Sequence, residues 1–469
     1  MKRLNMILDH MQPLPTDCAE LRSLKRRLEL QSLRAHFVLS EDRLKEMAYF
    51  MIHEMQVGLA DEKNSTLRML PSFVYRKDVS NTTGIVYALD LGGTNFRVLS
   101  MKLHEGKLLE HSAMKFAIPE KAMHGTAELL FGFIAESIQK FETTKGRGAN
   151  PSGRVPLGFT FSFPTQQYAI NKGSLIAWTK GFTASGVAGK NLVELLQKEL
   201  DSRNLEMDVV ALCNDTVGTL VARYFADPNA EVGVILGTGS NACYWEKACN
   251  VTKNGDVAKE KGKEIVINME FGNFDSKDLL VLPRTPFDEQ IDRESPNPGA
   301  QRLEKMISGF YKGEIARLIL LRLSKNGILP ESFQQKLNKR NIFESKDVSA
   351  IIGDRLPGRH RIQTILRDTY GIDNLDLSHL HVVLEVCSLV CNRAAQLAGM
   401  AVGATLLKAG KQHNATVAID GSVFEKTPTF KAIMERAVHQ VVGPNCEVRL
   451  VLQRDGSGFG AGFIAALAK

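Results

Sequence analysis

From residue 84 onward apolar and polar residues alternate along the chain, predicting strands at 84–91, 95–103 and 107–116. These form a meander. Its first link runs from Tyr87 to Ser100, where Gly92-Gly93-Thr94-Asn95 separates two apolar runs. The period then becomes helical over 125–142, with Leu129, Leu130, Phe133, Ile134 and Ile138 on one face. An apolar run at 157–163 predicts a buried strand that Pro164 ends. A helix over 190–202, a strand over 209–213 and a helix over 216–225 follow. Residues 232–241 repeat the opening theme of strand, glycine-rich turn and strand. Polar residues 250–263 predict a hairpin excursion, and 265–270 a further strand. Helical spacing covers 299–326, 380–409 and 425–441. Strands are predicted at 417–420 and 448–452. An Ala-rich helix follows Asp455-Gly456-Ser457-Gly458.

Upstream, Asp17 and Glu20 signal a basic helix reaching about residue 37. Ser40 caps a second, whose stripe is Leu44, Met47, Met51, Met55 and Leu59. Leu4, Ile7, Leu8 and Met11 also fall at helical spacing. Two glycine-turn hairpins, each followed by strands and helices, predict a duplicated α/β unit: two lobes around a cleft with the turns facing each other.

Composition narrows the class. At 469 residues the chain exceeds one simple core. Its net charge of +7 is mild, and Lys25-Arg26-Arg27 is the densest basic tract, so nucleic acid is not an expected partner. Seven scattered cysteines without a Cys-x-x-Cys pair suit a reducing compartment. No contiguous apolar run of about 18 residues predicts a membrane span. Asp9, His10 and Pro13 interrupt any signal-peptide core.

Three glycine-bearing segments carry candidate chemistry. At the first turn, Asp90 ends one strand and Arg97 lies early in the next. A carboxylate, bare amides and a guanidinium together suit a phosphate with its metal ion, though a surface hairpin has the same turn. Gly237-Thr238-Gly239-Ser240-Asn241 and Ile419-Asp420-Gly421-Ser422-Val423 are two more such elements. Asp215 sits where a strand hands over to a helix, a place for a reactive carboxylate or for a plain N-cap. Thr160, Ser162, Thr179 and Lys180 crowd polar groups among Phe163 and Trp178, a mixture that a carbohydrate site needs. Lys180 either steadies a phosphoryl group or snorkels from a loop edge. P-loop, zincin and serine-hydrolase motifs are absent.

These residues resemble one family, the eukaryotic hexokinases in their single-unit form. The segments are Leu89-Asp-Leu-Gly-Gly-Thr-Asn-Phe-Arg97, Leu157-Gly-Phe-Thr-Phe-Ser-Phe-Pro164, Trp178-Thr-Lys-Gly-Phe182, Asn214-Asp-Thr-Val-Gly-Thr219 and Gly237-Thr-Gly-Ser-Asn241. Pro283-Arg-Thr285, Glu304-Lys-Met306, Ile419-Asp-Gly-Ser-Val423 and Asp455-Gly-Ser-Gly458 continue the order. The resemblance implies a two-lobed actin-like, ribonuclease-H-like α/β fold with a central cleft that closes on glucose. It implies ATP and Mg²⁺ as cofactors, and Asp215 as the base that takes the proton of the sugar 6-hydroxyl. Lys180 and Arg97 would assist catalysis. Ser162, Phe163, Thr179, Lys180, Asn214, Asp215, Asn241, Glu270, Gln301 and Glu304 would hold the hexose. Asp90, Gly92, Gly93, Thr94, Asn95, Arg97, Thr238, Ser349, Gly421 and Ser422 would meet the nucleotide, with Asp90 reaching the metal through water. Ala300, Lys190-Asn191, Phe271 and Ser345 depart from the family pattern and leave the sugar preference open.

The lobes implied are an N-terminal helical segment at 1–79 packing on the large lobe, a small lobe at 80–215, a large lobe at 216–455, and a C-terminal helix at 456–469 returning to the small lobe. Two other readings share the fold: a catalytically silent hexose-binding regulator, and an actin-like assembly ATPase, which leaves the sugar segment unexplained. Arg3-Leu4, five residues, then His10-Met11 resembles the N-terminal peroxisome-type import signal of glycosomal hexokinases of kinetoplastids. That implies a peroxisome-type import receptor as a partner and a glycosomal location; a plain cytoplasmic N-terminal helix is the alternative. The resemblance leaves room for a homo-oligomer.

Overall fold

The structure is a computed structural model and describes residues 19–93, 95–146, 153–179 and 181–468. In chain order its strands are β1 (Leu70–Tyr75), β2 (Gly84–Leu91), β3 (Asn95–His104), β4 (Lys107–Ala117), β5 (Val155–Phe161), β6 (Thr165–Ala169), β7 (Lys172–Leu175) and β8 (Met207–Cys213). Then come β9 (Ala230–Leu236), β10 (Ser240–Lys247), β11 (Glu264–Asn268), β12 (Ala415–Asp420) and β13 (Val448–Leu452). The chain forms two compact units.

The sheet unit comprises Glu41–Leu282, Gly299–Gly309 and the chain from Ala395 onward. It contains a five-stranded sheet ordered β4-β3-β2-β5-β8 and a six-stranded sheet ordered β1-β11-β10-β9-β12-β13. In the first, β2 pairs antiparallel with β3 and β3 with β4, while β2–β5 and β5–β8 are parallel. The second repeats this: β9–β10 and β10–β11 antiparallel, β9–β12 and β12–β13 parallel. The duplication predicted from the glycine turns is therefore present in the topology, with β1 an added edge strand. Parallel neighbours need crossovers. Helices Ala127–Lys145 and Leu192–Ser202 serve the first sheet; Leu377–Ala409 and Phe430–Val442 precede β12 and β13 in the second.

Each set of parallel strands ends in one more helix, Asp215–Ala226 after β8 and Gly456–Leu467 after β13. The two cross where Gly218 faces Gly460, and a Cβ at Gly460 would overlap the Gly218 backbone. Only glycine permits so close a crossing. The second helix buries Ala461, Phe463, Ile464 and Leu467 in one cluster with Ala88, Leu99 and Met101 of the first sheet. On that sheet's opposite face, Leu89 and Phe159 pack with Leu130, Ile134, Ile138 and Leu196.

The helical unit comprises the described residues up to Ser40, with Pro283–Pro298 and Phe310–Ala394. Leu33, Phe37, Ile315, Ile319, Leu366 and Val386 share its core. Inside it, fully buried Arg393 pairs with Asp288 through two bonds of 2.8 and 2.7 Å, its guanidinium 4.1 Å from the centre of the Phe37 ring. Asp288 also closes a capping box with Thr285 at the start of helix Pro286–Glu294.

The polar stretch at 250–263 is not the expected hairpin. It folds as a 3₁₀ turn, Ala248–Asn250, and a short helix, Gly255–Ala258, capped by the Asn254 side chain. Its few apolar residues include Val251 and Val257, which turn inward, so it has no sheet face to bury. Helix Leu377–Ala409 is long and apolar enough by length and composition to cross a membrane, although no contiguous run marks it; 72% of its most apolar window is buried within the protein. The six cysteines among the described residues are free thiols.

Candidate active site

The β2–β3 turn is narrow, closed by Gly92 N–H donating to Asn95 O at 3.1 Å. Register puts Asp90 opposite Arg97 on β3 and beside Thr160 on β5. The Arg97 Nε and Nη2 donate to Asp90 Oδ2 at 3.1 and 2.6 Å, and Nη1 pairs with Asp455. Burial opposes the Arg97 charge, but Asp90 and Asp455 outweigh it and hold the guanidinium above its ordinary value. Ser457 Oγ donates to Asp90 Oδ2 at 2.9 Å, while Ser457 O accepts from Thr160 Oγ1 at 2.8 Å. Gly93 is half-buried and Asn95 exposed at the tip. Thr94 lies outside the described residues.

The second cluster begins at the end of β8. Asn214 caps helix Asp215–Ala226, its Oδ1 accepting from Thr216 N at 2.9 Å. Asp215, the first helical residue, accepts from the same N–H at 2.8 Å. A carboxylate is favoured at such a terminus. From Asn214 a line of side chains runs onward. Asn241 Nδ2 donates to Asn214 Oδ1 at 3.4 Å, to Asn268 Oδ1 at 2.7 Å and to Glu270 Oε1 at 3.4 Å, and Asn268 Nδ2 donates to Glu270 Oε1 at 2.9 Å. Amides alternating donor and acceptor fix each group's orientation before any ligand arrives. Glu270 and Gln301 both hold left-handed backbone, φ 54° and 51°. Such strain in non-glycine residues persists where surroundings enforce it and collects at functional sites. Gln301 N–H donates to Asn273 Oδ1 at 3.1 Å. Behind the cluster, burial pushes the Cys213 thiol up to about 12 and Cys243 well above its usual range, so neither is a nucleophile at neutral pH.

The β9–β10 turn is closed by Gly237 N–H to Gly239 O at 3.0 Å, and Gly309 N–H donates to Gly237 O at 2.8 Å. Glu304 Oε2 accepts from Ser240 N at 2.8 Å, so the turn rests on one of the glutamates expected to hold sugar. Thr238 is exposed at its tip. Gly421 follows β12 at φ 119°, and a Cβ there would overlap Leu236 O, so the third glycine element lies back to back with the second turn. Ser422 is exposed and starts helix Ser422–Lys426.

Phe163 is buried in an aromatic cluster, with its ring centre 5.0 Å from Trp178 and 4.9 Å from Phe182. Ser162, also buried, donates its N–H to Leu91 O at 3.2 Å, beside the first turn. Thr179 follows Trp178, whose Nε1 donates to Ala184 O at 2.8 Å; Lys180 lies outside the described residues. A small pocket is lined by Leu70, Phe163, Gln167, Cys213, Asn214 and Asn268. Apolar walls facing oriented amides suit a small polyhydroxyl ligand. Ser349 belongs to the helical unit, where its hydroxyl donates to Ser345 O at 3.1 Å.

Sequence reasoning assigned no role to Asn268, Asp420, Asp455 or Ser457. Asn268 ends an apolar strand, and its link to Asn241 crosses 27 positions. Asp420 and Asp455 stood in glycine motifs already noted. Asp420 accepts from Gly456 N at 3.2 Å, and burial pushes its carboxyl up to about 6.

A duplicated sheet with paired glycine turns, a carboxylate at a helix start and a line of mutually oriented amides defines a phosphotransferase of the actin-like ATPase class. Family models described as hexokinase match residues 29–225 and 231–467, and the chain belongs to the hexokinase family. It is 40% identical over 447 residues to Hexokinase-7 of Oryza sativa subsp. japonica, covering 93% of this chain and 96% of that protein. It is 41% identical over 451 residues to human Hexokinase-1, covering 94% of this chain and 48% of the human protein. Among solved structures it resembles the hexokinase from Schistosoma mansoni complexed with glucose, with a TM-score of 0.85 and 36% identity, covering 94% of this chain and 99% of that one.

Proposed function

We propose that this hexokinase transfers the γ-phosphoryl group of ATP to the 6-hydroxyl of glucose and related hexoses, the entry step of glycolysis. The observation that carries the reading is the line Asn214–Asn241–Asn268–Glu270, which ends one residue from Asp215. It offers a ring of hydroxyls alternating donors and acceptors beside one carboxylate. Asp215 acts as base: a sugar hydroxyl is a poor nucleophile, and a carboxylate accepting its proton helps it attack. Glu304 joins the sugar site to the second phosphate turn through Ser240. Ser162, Thr179, Lys180 and Gln301 complete the sugar contacts, and the Phe163 ring backs them.

On the nucleotide side, Gly92, Gly93, Thr94, Asn95 and Arg97 meet the β- and γ-phosphates. Thr238, Gly421 and Ser422 lie toward the rest of the nucleotide, and the resemblance adds Ser349 of the helical unit. Mg²⁺ keeps most of its waters and asks for few protein ligands. Asp90 would hold a water of its shell, and bound Mg²⁺ neutralises charge on the transferring group. The family resemblance reads residues 80–215 as the small lobe and 216–455 as the large one. Closure on sugar would exclude competing water.

The decisive assay couples glucose 6-phosphate formation to a dehydrogenase in the presence of MgATP. Turnover supports the reading; glucose binding without ADP release would replace it with the silent hexose-binding regulator. Kinetics across glucose, mannose, fructose and glucosamine set the sugar preference. The import-signal reading of Arg3-Leu4 and His10-Met11, outside the described residues, supports a glycosomal location with a peroxisome-type receptor as partner. Deleting residues 1–11 then leaves a tagged chain cytoplasmic, whereas retained organelle targeting would overturn it. A homo-oligomer is tested by light scattering.

A further inference from the structure

Arg97 divides its donors unequally. Nε and Nη2 both go to Asp90, a carboxylate 6% exposed, and Nη2 lies 3.4 Å from Ser457 Oγ. That pairing is desolvated and fixes the plane of the guanidinium. The remaining nitrogen, Nη1, faces Asp455, whose side chain is 56% exposed. Asp455 is held in place by its neighbours and not by burial of its own side chain. Gly456 N–H is bonded to Asp420, Ser457 Oγ to Asp90, and Ser457 O to Thr160. Its own backbone is left-handed at φ 55°, a conformation that an aspartate adopts at a cost. The carboxylate is thus delivered to the outward edge of an arginine at a glycine turn, where an anionic ligand's oxygen would bind. One partner of Arg97 is buried and permanent; the other is solvated and exchangeable, because an exposed ion pair is weak.

We propose that Asp455 is an internal competitor of the nucleotide phosphates for the Nη1 edge of Arg97, a positioning residue that keeps the guanidinium extended between turnovers and yields when the phosphates arrive. The proposal rests on Arg97 meeting the phosphates, as above. While the Asp90 pair stays made, the guanidinium keeps its plane, and a phosphate oxygen takes the place of the Asp455 carboxylate. Asp455 therefore sets nucleotide affinity without touching the sugar.

The test compares wild type with Asp455→Asn and Asp455→Glu. Asparagine accepts left-handed backbone readily, so the loop keeps its shape. Steady-state kinetics at saturating glucose give KM for MgATP, calorimetry gives Kd for ADP, and thermal melts verify folding. The Asn variant is expected to lower both constants about two- to fivefold, the range of an exposed ion pair. The Glu variant restores wild-type values, and KM for glucose is the same in all three. A rise of either constant in the Asn variant would assign Asp455 to holding the nucleotide or its cation and overturn the proposal; unchanged constants would overturn it too. Failure of the underlying reading looks different. The wild-type protein would then neither phosphorylate glucose nor bind ADP, which removes both.

Discussion

The two glycine turns of the sheet unit hold the same place in their sheets and differ in charge. At β2–β3 the residues flanking the turn include Asp90 and Arg97, paired across the strands. At the matching places, β9–β10 carries Ile235 and Asn241, also paired across the strands but uncharged. The first turn is braced by ion pairs. The second is braced from beneath, by Gly309 N–H and by Glu304. The helix starts differ in the same manner. After β8 the chain reads Asn214-Asp215; after β13 it reads Asp455-Gly456. The first half thus presents a carboxylate from its helix terminus, and the second presents an N–H that meets Asp420. A duplicated scaffold supplies two equivalent helix ends, and only the first carries a carboxylate at its first helical residue.

The largest break in that comparison is Asp215→Ala. Turnover should fall about 10²–10⁴-fold, the usual yield of general base catalysis, while glucose binding measured by calorimetry is retained; retained turnover would return the base to another residue. Next is Glu304→Gln. A hydrogen bond from a sugar hydroxyl to this carboxylate, as proposed, is worth about 1.5–3 kcal/mol, so removing the charge should raise KM for glucose by up to about ten- to a hundredfold. Thr238→Ala, on the same turn but exposed, should leave KM for glucose within about twofold, since it touches no sugar group; a larger rise would mean that the two turns divide their work differently.

Gly460→Ala addresses the helix crossing. Forcing a methyl against the Gly218 backbone should cost about 1–3 kcal/mol in urea unfolding. Gly255→Ala, with nothing within 4 Å, should cost little. The last effect is pH-dependent. Burial raises the folded-state carboxyl of Asp420 from 3.8 to about 6. The folded protein therefore binds this proton more tightly, and the group's contribution to stability falls as pH rises from about 4 to about 6. Asp420→Asn should stabilise the protein by about 1–3 kcal/mol at pH 7.5 and by much less at pH 5, read as the difference in melting between the two variants.

Much of this arrangement was legible in the chain. The meander at 84–116 and the paired turns followed from strict alternation broken by glycine; Asn214, Asp215, Asn241 and Glu270 stood at strand ends and Glu304 in a helical stretch, all within recognisable segments. Strand β1 was not legible: Pro71 interrupts it, Phe73 is left-handed, and its partner β11 lies almost 200 positions away. The β6–β7 hairpin escaped because Thr165-Gln166-Gln167 gives no apolar face. Helices Ser345–Ile352 and His360–Tyr370 flank Pro357-Gly358, which reads as loop. Asn268 and Asp455 act through partners distant in sequence; Asp455 meets Arg97 across 358 positions, and no local pattern encodes such a meeting.

The crossing of helices Asp215–Ala226 and Gly456–Leu467 bears on how the chain is made. Ser457 follows Asp90 by 367 positions, yet it closes the Asp90 pairing, and Ala461, Phe463 and Ile464 cover Ala88 and Leu99. During synthesis the first sheet is complete at Cys213, yet the helix that covers Ala88 and Leu99 begins only at Gly456, about 240 residues later. At about 5–20 residues per second that delay is roughly 10–50 seconds. An uncovered apolar strand face is open to wrong association, and the Gly456–Leu467 helix is the clasp that closes it.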